Sequence, residues 1–126
     1  RGGVGYSGGG GGLGGSKSLQ AISSLVFAIG RRKDAAEYKA VSTQVVGNIQ
    51  HQEGSYPFYF RYYMAQALFQ GNFEAWNKWN TKTIRQLKDM QADDGSFTSS
   101  HGPVYGTSMS MLALALNYRF LPIYER

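Results

Sequence analysis

Two kinds of helical segment alternate along this chain, and that alternation leaves few folds open. From Ser16 onward the apolar residues recur at helical spacing. Ser16 or Ser18 can cap a first helix running through Ile29, and Gly30 can end it. Its Leu19, Ala21, Ile22, Leu25, Val26, Phe27, Ala28 and Ile29 point to nearly every side, the pattern of a helix buried all round. A second helix, with Asp34 as expected N-cap and Glu37 in its first turn, confines Tyr38, Val41, Val45 and Ile49 to one stripe. The third, residues 57–70, begins with a proline suited to a first turn and has only Arg61 and Gln66 as polar interior residues. Gly71 ends it and Asn72 caps the fourth, residues 73–90, which is amphipathic with Phe73, Trp76, Ile84, Leu87 and Met90 near one stripe. The fifth opens at Gly106 and Thr107 and is apolar all round again. The sequence therefore predicts an all-α fold of about five helices in two layers, the buried helices wrapped by the amphipathic ones.

Glycine corners join the layers. Gly95-Ser96-Phe97, Gly54-Ser55-Tyr56 and Gly3-Val4-Gly5-Tyr6 each place an aromatic residue just after a glycine, and these aromatics stand 50 and 41 residues apart. A helix-pair unit repeating at that period reads as a solenoid or a closed ring of helix pairs. Ten of the 17 glycines precede Ser16, so residues 1–16 read as a flexible Gly-rich loop and residues 17–126 as the helical domain. Gly3-Val4-Gly5-Tyr6-Ser7-Gly8 spells G-x-G-x-x-G. No strand precedes it and four more glycines follow, so a dinucleotide-binding turn is not expected.

The remaining composition excludes several functions. Net charge is +5, but the basic residues are scattered and interrupted by acids, so no nucleic-acid partner is expected. No apolar run is long enough for a transmembrane segment. Without Cys there is no disulfide, no thiolate metal site and no Cys nucleophile. His51 and His101 lack zinc-ligand spacing, and neither a metal nor a cofactor is expected.

Leu87-x-x-x-Gln91-x-x-x-Gly95-x-Phe97 resembles the Gln-Trp repeat of squalene and terpene cyclases, with Phe in place of the usual Trp. Tyr105-Gly106-Thr107-Ser108-Met109 and the run from Tyr62 to Phe69 are similar to inner helices of prenyltransferase and squalene-oxidase repeat proteins. The ending from Tyr118 to Tyr124 is similar to their C-terminus. The resemblance implies a partial α/α-toroid, with inner helices lining a barrel and outer helices sheathing it. It also implies a structural role for Gln91, Gly95 and Phe97: the Gln amide ties down neighbouring helix ends and the aromatic stacks over it.

The family's catalytic motifs do not carry over. Asp93 and Asp94 sit in the glycine corner, and Gln91 occupies the place where D-x-D-D needs an acid. Gly95 and Ser96 likewise break D-D-x-x-D. The aromatic face of the third helix is the remaining ligand candidate: Tyr59, Tyr62, Tyr63, Gln66 and Tyr105 are expected to line a cavity or to fill the core between layers. The function expected is a non-catalytic helical-repeat scaffold or binding domain, with an apolar small molecule as possible ligand. The alternative is a portion of a terpene-cyclase or prenyltransferase-like enzyme whose catalytic residues lie upstream. Having no initiator Met and few helices, the chain reads as the C-terminal part of a larger protein. Its apolar end faces are then expected to meet the upstream part of the same protein or another copy.

Overall fold

Five α-helices follow one another through residues 15–119, the part of the chain that the computed structural model describes. They are α1 (Lys17–Ile29), α2 (Ala36–Gly47), α3 (Pro57–Gly71), α4 (Phe73–Met90) and α5 (Pro103–Ala115). No strand occurs among the described residues. The corner at Tyr6 and most of the Gly-rich segment lie outside them, as does the chain end from Phe120.

The helix ends follow local chemistry. The Ser16 hydroxyl accepts from the Leu19 N–H at 3.4 Å and starts α1. At its far end Gly30 keeps a helical-side φ of −70°, and Arg31 instead takes the left-handed conformation at φ 57°. The N–H of Arg32 then reaches back to the Phe27 carbonyl at 2.9 Å, closing the helix. Asp34 does not cap α2: Ala35 occupies that position and no side chain caps it. Asn72 accepts from the Ala75 N–H at 2.9 Å, so α3 and α4 meet almost without a linker. Helix α5 begins three residues earlier than its sequence suggests, because Pro103 provides the first turn and Gly106 lies inside the helix.

Helix α3 is the centre of the molecule and packs against all four others. Its residues 64–70 are all buried, and Phe60, Met64, Leu68 and Phe69 join Leu25 of α1, Val45 of α2, Trp76 and Trp79 of α4 and Ala113 of α5 in the main core. A smaller core of Phe58, Leu87 and Phe97 lies towards the start of α3. Helix α2 packs on α1 and α3. Polar ties cross between elements: Asn48 donates to Gln20 at 2.9 Å, and Asn80 donates to Asn117 at 2.8 Å.

Three expectations require correction. Only α3 is buried on nearly every side. Helix α1 exposes Val26 and Ile29 although both α2 and α3 pack on it, and α5, whose main packing partner among the described residues is α3, exposes Val104, Met111 and Leu112. On α4 the buried stripe is Trp76, Trp79, Asn80, Thr83 and Leu87, while Ile84 and Met90 face solvent. Thr83 lies about 20° from Trp76 around the helix and Ile84 about 80°, so the wheel favours the less apolar residue. The two described glycine corners also differ: Phe97 is buried, whereas Tyr56 is 57% exposed.

The corner at Gln91 is closed by its own atoms. The Gln91 amide donates to the Gly95 carbonyl at 2.9 Å, and the Ala92 N–H donates to the Ser96 carbonyl at the same distance. Gln91 is exposed and makes this bond within its turn, so it does not tie neighbouring helix ends as the resemblance implies. Gly95 is required for its φ of +83° rather than for space, since an added Cβ would meet only the Gln91 amide nitrogen at 3.8 Å. Phe97 turns into the smaller core, and its N–H donates to the Thr107 hydroxyl at 3.0 Å.

Candidate functional site

The starts of α3 and α5 bring aromatic rings together, with Tyr56 and His101 exposed and Tyr59 and Tyr105 half-buried. Pro57 starts α3, which leaves Tyr56 at the N-cap and sets Tyr59 one turn along the same side. Gly102, at φ +91°, lets the chain swing into Pro103, so His101 stands just before α5 and Tyr105 in its first turn. The loop before α5 is braced by Ser99, whose hydroxyl donates to the Gly102 carbonyl at 2.7 Å and accepts from the His101 N–H at 3.2 Å.

Together Tyr56, Tyr59, His101 and Tyr105 line an open groove of about 490 Å³. His101 is the hinge of the cluster. Its ring centroid is 5.8 Å from that of Tyr56 and 5.2 Å from that of Tyr105. Tyr105 also meets Phe58 edge-on at 6.4 Å, which ties the groove wall to the smaller core. Burial and the nearby Tyr63 phenol push the Tyr105 hydroxyl above the usual tyrosine range. No carboxylate lines the groove. The volume falls within the range of small-molecule sites, and ring faces with polar rims suit an apolar or weakly cationic guest.

The residues singled out from the sequence meet three different outcomes. Tyr59 and Tyr105 line the groove. Tyr63 packs edge-on against Tyr59 at 4.9 Å and Tyr62 against Tyr63 at the same distance, so these two support the wall from behind. Gln66 is buried within α3 at 4% exposure and takes no part in the groove. Tyr56 enters the lining unforeseen. Its signal was present: it stands three residues before Tyr59, a helical spacing that continues across the N-cap.

No family model, curated protein or solved structure matches this chain. The site is therefore read from its own geometry. Asp93 and Asp94 are both exposed in the corner, away from the groove lining. Hydrogen bonding from the Ser96 side chain, and from the Ser96 N–H at 2.9 Å, holds the Asp94 carboxylate below the usual carboxylate range. Among the described residues no group of three or more His, Asp or Glu side chains is placed to hold a metal ion. No described helix is long and apolar enough to cross a membrane.

Proposed function

We propose that this chain is a non-catalytic helical-repeat binding domain, an arc of an α/α-toroid similar to prenyltransferase and squalene-cyclase-like proteins, whose aromatic groove takes an apolar small molecule. The observation that carries the reading is the groove itself: four rings from two helix starts around about 490 Å³, with no acid among them. The packing of α3 against both α1 and α5, with α2 flanking α1 and α3, supports an inner row and an outer row. The apolar residues left exposed on α1 and α5 mark the ends of the arc, where helices from the same polypeptide or from a second copy extend the row. The enzyme alternative draws on a carboxylic-acid donor or a metal-ligand set of the kind its family's motifs supply, and the groove lining holds three phenols and one imidazole without a carboxylate.

A direct titration tests the binding reading. Farnesol, a flexible isoprenoid alcohol, is added while intrinsic tyrosine emission is followed. A saturable change is expected, with Tyr59→Ala and Tyr105→Ala each weakening affinity by roughly tenfold, the scale of one lost aromatic contact. A non-saturating response, or the parent chain's affinity retained in both variants, would remove the groove as the binding site.

A further inference from the structure

Beside the first turn of α3 lies a second, smaller cavity that the binding reading does not use. It is walled by Pro57, Phe60 and Arg61 of α3, by His51 and Glu53 of the preceding linker, and by Trp79, Lys82 and Thr83 of α4. Its free space is about 30 Å³, enough for two water-sized atoms and so for the two oxygens of one carboxylate head group. Arg61 projects a guanidinium whose Nη1 is buried and has no hydrogen-bond partner. None of the ion pairs among the described residues includes Arg61. Its guanidinium carbon lies 5.3 Å from the centre of the Phe58 ring.

The local acid is already committed. Glu53 accepts from the Ser55 N–H at 3.2 Å with one oxygen, and its other oxygen stands 3.5 Å from His51 Nε2. That ring nitrogen is itself buried and makes no hydrogen bond. Lys82 is held at the rim by Gln50 at 2.9 Å. The lining therefore carries two cations, Arg61 and Lys82, against one carboxylate, Glu53, and the excess of one positive charge matches a monoanion. A half-buried guanidinium with an open, buried Nη1 can receive a planar carboxylate through its fork in two parallel hydrogen bonds. Glu53 disfavours a guest with two negative charges in the same small space.

We propose that this cavity is a carboxylate-binding site in which Arg61 is the anchoring residue, with His51 and Lys82 at its edge. Burial lowers the affinity of the Arg61 guanidinium for its proton, and a bound anion offsets that penalty. The shared chemistry is a single carboxylate, carried either by a free small acid or by an acidic side chain of a polypeptide.

The test follows the Arg61 Nε–H resonance in isotope-labelled protein as sodium acetate replaces sodium chloride at constant ionic strength. N-acetyl-glutamate amide and inorganic phosphate are titrated in parallel. Acetate is expected to give a saturable shift, at least tenfold weaker when read from the resonances of residues 51–53 in Arg61→Met and a few-fold weaker in Lys82→Gln. Lys82 lies at the rim, so its variant retains the test if Arg61→Met does not fold. Tighter binding of the glutamate amide than of acetate assigns the site to a polypeptide side chain, and equal or weaker binding assigns it to a free acid. A linear response to acetate, unchanged affinity in both variants, or tighter binding of phosphate than of either carboxylate would overturn the proposal. Farnesol binding depends on the separate ring groove, so loss of one activity leaves the other measurable.

Discussion

At Gly106 an added Cβ would stand 2.4 Å from the Phe97 carbonyl oxygen and 3.2 Å from the Ser99 side chain. The first obstacle is backbone, so the start of α5 has to move away from the strand of chain that carries Phe97. Gly106→Ala is expected to destabilise the fold by about 2–3 kcal/mol, the scale of an overpacked core contact, measured as a lower urea midpoint. Gly95→Ala is expected to lose about 1–2 kcal/mol by a different route, the left-handed φ at that corner. Arg31 shows the reverse situation: it already pays for a left-handed φ with a side chain, so Arg31→Gly should raise stability by about 0.5–1 kcal/mol. Tyr105 gives a pH signature. Its folded pKa lies above the unfolded value, so the neutral phenol is the form that the native state holds more tightly. Its contribution is complete below the unfolded tyrosine pKa of about 10 and is lost as pH rises through the folded value. Alkaline unfolding midpoints should therefore shift less with pH in Tyr105→Phe than in the parent chain. An identical pH dependence in both would contradict the assignment.

Helix punctuation explains which elements were legible in the sequence. The start of α3 and the junction between α3 and α4 were readable because Pro57 and Asn72 act locally, and the Asn72 cap is present at 2.9 Å. Replacing Asn72 by Ala should cost about 1 kcal/mol and fray the first turn of α4, seen as reduced helical ellipticity before global melting. The start of α5 was not readable, because Gly106 looks like a loop residue until its contact with Phe97 is known. The face of α4 was misread for a related reason. Ranking by apolarity selects Ile84, whereas the angle around the helix selects Thr83, whose neighbours Trp79 and Leu87 are buried with it. At the corner that resembles a Gln-Trp repeat, the Gln91 amide stays within its own loop and Phe97 packs with Phe58 and Leu87. In the candidate groove, Tyr59 and Tyr105 were legible from aromatic density. The pairing of Tyr56 with His101 depends on where two separate helix starts meet, which no single segment encodes.

Taken whole, the molecule is a buried rod, α3, held by four partners that each use only part of their surface. The alternation of helix types predicted that α3 is buried all round, and its residues 64–70 are all covered. It overstated α1 and α5, whose apolar character exceeds the surface that α3 can cover. The groove lies where α3 and α5 begin, so a ligand there should steady both helix starts while leaving α1 and α2 untouched. Amide hydrogen exchange with and without farnesol measures this over the whole chain at once. The slowest amides are expected in residues 64–70, and saturating farnesol should slow exchange in residues 56–63 and 99–107 alone. Protection confined to α1 and α2, or no change in residues 99–107 at saturation, would contradict the account.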